Sequence, residues 1–185
     1  MIKRIFDLAA SALALLLLSP VLLAVAAAIA LEDGAPVLFR QRRVGQGGRT
    51  FDMLKFRSMV KNAAAQGPYF TQAADPRITR VGRFIRRTSL DELPQLLNVL
   101  NGDMSLVGPR PDLPVQQSLY TAVDWAERCR VRPGITGLAQ ALYRSDSTEA
   151  QRLEADLRYV REASFWLDLK ILWWTLARLS GKGAN

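Results

Sequence analysis

The chain has 185 residues, enough for one modest domain once its apolar N-terminal stretch is set aside. Its single cysteine, Cys129, excludes an internal disulfide framework and a thiolate metal cluster, and the absence of histidine removes the usual general base and the commonest zinc ligand. The net charge of +8 indicates anionic partners such as nucleic acid, acidic phospholipid or a phosphorylated substrate. Any catalysis must therefore use carboxylates, lysine, arginine or a bound cation.

Residues 8–31 form an uncharged apolar stretch, LAASALALLLLSPVLLAVAAAIAL. As a helix rising 1.5 Å per residue it would be about 36 Å long, enough to cross a hydrocarbon core of about 30 Å. Basic residues lie on both sides of the stretch: Lys3, Arg4, Arg40, Arg42 and Arg43. The positive-inside rule places both flanks in the cytoplasm, which a straight span does not allow.

Ser19-Pro20 lies near the middle of this stretch. Pro20 cannot donate a backbone hydrogen bond and favours a bend, while the Ser19 hydroxyl can satisfy a freed carbonyl. The sequence thus predicts a re-entrant membrane helix broken at Ser19-Pro20, with residues 1–35 as the anchor and residues 36–185 as a domain on the cytoplasmic face. A signal peptide cleaved near residues 24–26 and a single straight span are the alternatives.

Two short strands are predicted at residues 36–41 and 50–57, joined by VGQGGR, whose glycines permit the positive φ of a hairpin turn. Lys55 and Arg57 are two residues apart in the second strand, so they share a face and can approach one anion. A solvated edge strand would have the same spacing. Residues 62–74 are small and polar, which predicts a loop.

Asp75-Pro76 predicts the start of a helix, because an N-cap residue is followed by proline at the first helical position. Ile78, Val81 and Ile85 form an apolar stripe on it, and arginines occupy much of the remaining surface. This pattern is typical of a helix on an anionic membrane surface, and a helix that binds nucleic acid looks similar.

The segment TSLDELPQLLNVLNGD predicts another helix, ended by Gly102. Its leucines repeat at helical spacing: Leu93, Leu96, Leu97 and Leu100. The helix begins either with Ser89 and Glu92 as a capping box or with Pro94 at its first position. In both cases Asp91 and Glu92 lie near a helix N-terminus, where the helix dipole stabilises negative charge.

The stretches MSLVGPRPDLP and RPGITG are rich in proline and glycine and are predicted to be loops. A helix is predicted from about Thr148, and another over residues 165–179, whose tryptophans and cations are typical of a membrane interface. Asp168 interrupts that apolar run, so it requires a partner, such as an arginine, or a chemical role. The predicted fold is therefore a mostly helical α/β protein, monotopic in the membrane, with interfacial amphipathic helices and a small β-hairpin.

Asp91-Glu92 is the best candidate for a reactive site. An ionised carboxylate can act as a nucleophile without a base, which suits a chain that lacks histidine. Adjacent carboxylates also attract Mg²⁺, which typically binds one or two carboxylates together with substrate phosphates. Phosphate oxygens have several candidate partners: Lys55, Arg86, Arg87 and Arg110. The set is suited to phosphoryl transfer, although the spacing taken alone favours an ordinary helix cap.

Four segments together resemble the bacterial sugar transferases, the phosphoglycosyl transferases of the small monotopic type: PVLFRQRRVGQGGRTFDMLKFRSM, DPRITRVGRFIRRTSLDELPQLLNVLNGDMSLVGPRP, RPGITG and LDLK. The resemblance covers nearly the whole chain. It implies Mg²⁺-dependent transfer of a hexose 1-phosphate from a UDP-sugar to a polyprenol phosphate, usually undecaprenyl phosphate, with release of UMP. The expected location is the bacterial inner membrane, and the product would prime a surface glycan or glycoprotein oligosaccharide.

The resemblance also assigns residues. Asp91 is similar to the family nucleophile, which forms a covalent phosphosugar intermediate and contacts the metal, and Glu92 is similar to its dyad partner. Positions linked to substrate binding or site integrity are matched by Lys55, Arg86, Arg110, Asp156 and Asp168. Arg57 is a further candidate for substrate binding, because it shares a strand face with Lys55. Ser19-Pro20 matches the break in the family's re-entrant helix. Larger members carry further N-terminal helices and an additional domain, so this chain is expected to start at the catalytic unit.

The expected partners are a UDP-sugar, undecaprenyl phosphate and membrane phospholipid, without nucleic acid, and a homodimer is left open. Two other functional classes are considered as alternatives to an enzyme. One is a membrane-anchored nucleic-acid-binding protein, which the arginine-rich helix and the positive charge suggest. The other is a non-catalytic scaffold of an envelope assembly, which would tolerate loss of Asp91 and Glu92.

Overall fold

The computed structural model describes residues 1–67, 75–143 and 148–179. Seven helices and four strands are described there: α1 Ile2–Asp33, β1 Leu38–Val44, β2 Thr50–Phe56, α2 Arg80–Arg87, α3 Gln95–Asn101, β3 Ser105–Val107, α4 Ala122–Arg128, β4 Gly134–Thr136, α5 Leu138–Tyr143, α6 Glu149–Glu162 and α7 Phe165–Leu179. The protein is mostly helical, as predicted, and has two small sheets where a single hairpin was predicted. Much of the loop predicted at 62–74 lies outside the described residues.

Helix α1 is long and apolar enough to cross a membrane. It continues through Ser19-Pro20 without ending there. Because Pro20 has no N–H group, the Leu16 carbonyl lacks its usual helical donor, and the Ser19 hydroxyl donates a hydrogen bond to it at 2.8 Å. The predicted role of Ser19 is confirmed. Large apolar side chains are exposed around this point: Leu13, Leu16, Leu17, Val21 and Leu23.

The N-terminal end of α1 is fixed to the rest of the chain by polar contacts. The Lys3 ammonium lies 2.6 Å from the Asp168 carboxylate on α7. The Asp7 carboxylate is almost fully buried and accepts hydrogen bonds from the Ser105 hydroxyl at 2.8 Å and the Leu106 N–H at 3.2 Å. Strand β3 and helix α7 therefore hold the first turns of α1.

The C-terminal end of α1 contacts the same folded unit by apolar packing. Val25 and Ile29 are buried against Phe56 of β2 and Ile85 of α2. The Glu32 carboxylate then accepts hydrogen bonds from the first two N–H groups of α2, at 2.8 and 2.9 Å, which satisfies donors that a helix N-terminus leaves free. Both ends of α1 thus rest on one body, and its middle is exposed.

The predicted hairpin is confirmed. Strands β1 and β2 pair antiparallel, from Leu38 opposite Phe56 to Val44 opposite Thr50. The first strand begins two residues later than predicted and extends three residues further, because its pairing continues up to the glycine turn. One face of β2 packs on α3 and so brings the strand beside the segment that carries Asp91-Glu92.

The start predicted for α2 at Asp75-Pro76 is wrong. The Asp75 carboxylate instead binds the guanidinium and backbone N–H of Arg77, at 2.7 to 3.0 Å. Thr79 is the N-cap, and its hydroxyl accepts a hydrogen bond from the Gly82 N–H at 2.9 Å. The first four residues of the predicted helix therefore form a turn and a short bridge to Met59 before α2 begins.

Of the two starts considered for α3, the structure has the one at Pro94, which directly precedes Gln95. Ser89 does not cap a helix but adopts a left-handed conformation, with φ at 57°, and begins a 3-10 turn at Leu90–Glu92. Gly102 ends α3 with φ at 95°, as predicted.

The two segments predicted to be loops each contribute a strand. Strands β3 and β4 pair in parallel, with Ser105 opposite Gly134 and Val107 opposite Thr136. The backbones approach so closely that a Cβ atom at Gly134 would lie 2.1 Å from the Gly108 nitrogen. Glycine is therefore needed here for close packing, and not only for turns.

Helices α5, α6 and α7 pack around this small parallel sheet. Thr148 caps α6 by a capping box with Gln151, in agreement with the predicted start. Tyr159 of α6 and Ile171 of α7 are buried in one core cluster with Val107 of β3. The predicted range of α7 is confirmed.

Candidate active site

Asp91 lies in the 3-10 turn between α2 and α3. Its side chain is buried, with 9% of the residue exposed. Among the residues that the structure describes, its carboxylate makes no ion pair within 4.0 Å, although Lys55 and Arg86 both act on it electrostatically. A buried carboxylate without a salt bridge is costly to keep ionised, so its retention indicates a chemical role.

Glu92 has the opposite environment. One of its oxygens, Oε1, accepts hydrogen bonds from the Lys55 ammonium at 2.7 Å and from the Arg110 guanidinium at 3.0 Å. Lys55 comes from β2, whereas Arg110 comes from the loop after β3. The side chain of Glu92 therefore joins three parts of the chain, and its negative charge is neutralised by two cations.

The pKa values of the two neighbours move in opposite directions. Burial raises the pKa of Asp91, the adjacent Glu92 charge raises it further, and Lys55 and Arg86 only partly oppose the rise. Burial also acts to raise the pKa of Glu92, but Arg110 and Lys55 outweigh this effect and lower that pKa to about 2. Burial lowers the pKa of Lys55 more than the Glu92 charge raises it. Glu92 is thus an anion at neutral pH, while Asp91 carries a charge that its surroundings stabilise poorly.

A cavity of about 740 Å³ opens beside the pair. Glu92 lines it together with Ser89, Arg110, Thr136 and Arg152, whereas Asp91 adjoins the cavity through Glu92 and does not itself line it. This volume lies within the usual range for small-molecule sites. The cationic, hydrogen-bonding end at Arg110 suits phosphate oxygens, and the remainder of the cavity has room for the groups attached to them.

Arg57 is not brought together with the dyad. Its guanidinium lies 3.1 Å from the Asp33 carboxylate and donates hydrogen bonds to the carbonyls of Asp33, Gly34 and Pro36. These contacts fix the chain where it leaves α1. Arg86, on the last turn of α2, is half-buried and acts on Asp91 electrostatically.

The two downstream acids that the sequence singled out are both buried and paired. The Asp168 carboxylate binds Lys3 and accepts a hydrogen bond from the Tyr159 hydroxyl at 2.7 Å, so its partner is a lysine of α1 and not an arginine. The Asp156 carboxylate lies at the edge of the cavity, 2.8 Å from the Arg128 guanidinium. The structure thus places Asp156 near the site, and it places Asp168 beside the N-terminal end of α1.

The sequence interpretation missed a buried ion cluster behind the Arg110 loop. Asp112 is 2% exposed, and its carboxylate pairs with Arg128 at 2.8 Å and with Arg152, and also accepts a hydrogen bond from the Tyr120 hydroxyl. Its members are far apart along the chain, for example 40 residues between Asp112 and Arg152. No local spacing could have revealed it.

The donor set for a cation is small. Among the described residues, no group of three or more acidic, histidine or cysteine side chains could hold a metal ion. Lys55 and Arg110 both bind Oε1 of Glu92, so the oxygen donors beside the site are the Asp91 carboxylate and the second oxygen of Glu92, Oε2. Such a site fits Mg²⁺ only as an ion shared with substrate phosphates, which is how Mg²⁺ is commonly bound.

Comparison with known proteins gives a consistent result. The family described as bacterial sugar transferase matches residues 1–182. The UDP-glucose:undecaprenyl-phosphate glucose-1-phosphate transferase of Caulobacter vibrioides is 48% identical, over 96% of this chain and 69% of its own length. The UDP-N-acetylgalactosamine-undecaprenyl-phosphate N-acetylgalactosaminephosphotransferase of Aeromonas hydrophila is 44% identical, over 100% of this chain and 45% of its own length. A UDP-glucose:undecaprenyl-phosphate glucose-1-phosphate transferase of Escherichia coli is 44% identical, over 95% of this chain and 39% of its own length. The chain thus spans less than half the length of the last two.

Proposed function

Because this chain belongs to the bacterial sugar transferase family, we propose that it transfers a sugar 1-phosphate from a UDP-sugar to undecaprenyl phosphate and releases UMP. The observation that carries the proposal is the buried Asp91 carboxylate without an ion pair, beside a Glu92 held by Lys55 and Arg110 at the end of a cavity. The relatives are named for two different sugars, so the family fixes the donor class and leaves the sugar open.

The reaction proceeds by two displacements at phosphorus. In the first, an Asp91 oxygen attacks the phosphorus that bears the sugar, and the bond to the bridging oxygen breaks, so that UMP leaves with the electron pair. In the second, a phosphate oxygen of undecaprenyl phosphate attacks the same phosphorus and the Asp91 carboxylate is restored. Neither displacement needs a proton transfer at the nucleophile, which agrees with a chain that lacks histidine.

The surrounding charges make this attack feasible. A carboxylate and a diphosphate repel each other, so cations must neutralise the charge that develops on the phosphate oxygens. Glu92 holds Lys55 and Arg110, of which Arg110 lines the cavity, and Arg86 adds positive charge near Asp91. Mg²⁺, held by Asp91 and the substrate phosphates, supplies further charge neutralisation when bound.

The experiment that tests this function uses a UDP-sugar labelled at the sugar-bearing phosphate. Without lipid, the wild-type protein should retain label, and adding undecaprenyl phosphate should move the label to the lipid fraction. Asp91→Asn should retain none, whereas the matched control Asp52→Asn, at an exposed position on β2, should behave as wild type. Label that persists on Asp91→Asn contradicts the proposed nucleophile.

We also propose that the anchor enters and leaves the cytoplasmic membrane by its cytoplasmic face. A single folded body cannot lie on both sides of a bilayer, yet both ends of α1 contact the same one through Lys3, Asp7, Ile29 and Glu32. Residues 1–35 are then a re-entrant anchor bent near Ser19-Pro20, and residues 36–185 form the domain that faces the cytoplasm. The exposed tryptophans of α7, Trp166 and Trp173, suit the lipid headgroup region.

Site-directed labelling tests this topology. In a Cys129→Ala background, single cysteines replace Ile2 and Leu31, both exposed at the ends of α1, and Leu17 near its middle. A membrane-impermeant reagent should modify the two end positions from the cytoplasmic face and leave Leu17→Cys unmodified from either side. Modification of the two ends from opposite faces would rule out a re-entrant anchor.

A further inference from the structure

The loop of residues 109–112, which carries Arg110, is held at every one of its backbone carbonyls. Four donors from three elements, β1, α4 and β4, satisfy them: the Gly134 N–H to Pro109, the Arg128 guanidinium to Arg110, the Arg43 guanidinium to Pro111, and the Val44 N–H to Asp112, at 2.9, 2.5, 2.9 and 2.9 Å. A loop whose carbonyls are all satisfied by three surrounding elements has little freedom to move. The Arg110 backbone is therefore presented to Glu92 from a rigid support.

Arg128 is the centre of this support. It is 5% exposed, and three nitrogen atoms of its guanidinium each have a different acceptor. Nη1 lies 2.8 Å from the Asp112 carboxylate, Nε lies 2.8 Å from the Asp156 carboxylate, and Nη2 donates to the Arg110 carbonyl. A planar guanidinium with both carboxylates in place can point Nη2 in only one direction.

We propose, building on the function proposed above, that Arg128 is a positioning residue for the transfer reaction. It fixes the Arg110 carbonyl, and this keeps the Arg110 guanidinium against Glu92 at the end of the cavity. Asp156 acts through Arg128, by orienting its guanidinium, and not by binding the substrate. This assigns a function to an arginine that has no contact with the dyad and replaces the substrate-binding role expected for Asp156.

The chemistry of the site explains why such support matters. The Arg110 side chain is partly exposed, at 39%, so the cavity walls alone do not hold it in place. A displacement of about 1 Å in a group that positions a phosphate can lower the rate about 100-fold. A fixed backbone removes one source of such displacement.

A purely structural role for Arg128, in neutralising Asp112 and Asp156, is the competing interpretation. The two are separated by a double-mutant cycle with Arg110, because a residue that acts only through Arg110 loses its effect once the Arg110 guanidinium is gone. A residue that merely stabilises the fold has the same effect in either background.

The experiment measures kcat and KM for UMP release by full-length wild-type protein, Arg128→Lys, Arg110→Gln and the double variant. Lysine keeps the buried charge but cannot reach three acceptors. We expect Arg128→Lys to lower kcat about 10- to 100-fold with a small change in KM, and to lower it less than about threefold further when added to Arg110→Gln. Arg161→Lys, at an exposed pair on α6, is the matched control and should retain wild-type kcat.

Equal losses in both backgrounds, or an unchanged kcat in Arg128→Lys, would overturn the proposal. If Arg128→Lys does not fold, Asp156→Asn replaces it, since it leaves the Asp112 pair intact, and the same dependence on Arg110 is expected. An increased KM for the UDP-sugar in Asp156→Asn that persists in the Arg110→Gln background would show instead that Asp156 binds substrate. Wild-type protein that releases no UMP would refute the proposed function itself. The other outcomes refute only the positioning role of Arg128.

Discussion

Two clusters of buried charge lie on either side of the Arg110 loop, and they differ in how completely they are neutralised. Behind the loop, Asp112 and Asp156 are both paired with Arg128. In front of it, Glu92 binds two cations while the neighbouring Asp91 has no salt bridge among the described residues. Cations hold Asp112, Asp156 and Glu92 in place, whereas Asp91 has no such partner in the part of the chain that the structure describes and stays available to react.

The largest difference between the clusters should appear in Asp91→Asn. Loss of the nucleophile should lower the transfer rate about 10⁴-fold or more. Because the pKa of Asp91 is raised, its ionised form opposes folding above that pKa, so the amide variant should unfold at the same or a higher temperature than wild type at pH 7. Steady-state assays and thermal unfolding in the same detergent measure both effects. A marked loss of stability would contradict this view of Asp91.

Asp112→Ala should behave in the opposite way, as a stability variant. It leaves the buried Arg128 and the half-buried Arg152 without their shared carboxylate, and removal of one partner of a buried pair typically costs about 3 to 5 kcal/mol. Urea unfolding measures the loss, and Asp52→Ala, which breaks an exposed pair with Arg42, is the control with an expected change below about 1 kcal/mol. If Asp112→Ala and Asp52→Ala lose the same amount of stability, the buried cluster around Asp112 does not support the fold.

Glu92→Gln should have an intermediate effect on rate, and it should also lower stability at neutral pH because Lys55 and Arg110 lose their shared anion. The amide oxygen can still accept a hydrogen bond, but Lys55 and Arg110 lose the negative charge that holds both of them beside the cavity. We expect kcat to fall about 100-fold, as when one preorganised charge contact is removed from a transition state. Activity at the wild-type level in this variant would mean that the two cations do not depend on Glu92 for their position.

The pH dependence of stability should show the smallest effect. It is also the finest test of how differently Glu92 and Asp91 are neutralised. The pKa of Glu92 is lowered from 4.5 to about 2, so its charge stabilises the fold above pH 4.5 and this contribution is lost as the pH falls towards 2. Asp91, whose pKa is raised, contributes with the opposite sign, because protonation favours the folded state. Unfolding between pH 2 and 7 in chelator should therefore bring Glu92→Gln and wild type together at low pH. If the stability of Glu92→Gln and that of wild type change with pH in parallel, the Glu92 charge does not stabilise the fold and its lowered pKa is refuted.

Local patterns predicted a good part of the fold. The apolar stretch, the glycine hairpin, the Thr148 cap and the end of α3 at Gly102 each depend on neighbouring residues, and each is present. Strands β3 and β4 were missed because their proline and glycine content suggests turns, while their pairing depends on a close approach of Gly108 and Gly134 from distant parts of the chain. The start of α2 was misplaced because Asp75 has a closer partner in Arg77.

The same division holds for the candidate site: local patterns predicted part of it, and contacts between distant residues could not be predicted. Adjacent carboxylates in a chain without histidine, together with the family motifs, indicated Asp91, Glu92 and the cations around them. The partners of Arg57 and Asp168, namely Asp33 and Lys3, are set by how α1 docks, which no spacing reveals. The Arg128 cluster brings together residues 28 and 40 positions apart, so only the folded chain shows it.

The docking of both ends of α1 also sets an order of events during biosynthesis. The anchor is synthesised before the residues on which it docks, so Lys3 and Asp7 meet Asp168 and Ser105 only after those later residues have been made. Until then, the polar residues at the start of the anchor need water or lipid headgroups, which keeps that end at the membrane surface. Synthesis of α7 is therefore the event that locks the anchor, and a chain stopped before it should hold its N-terminus loosely.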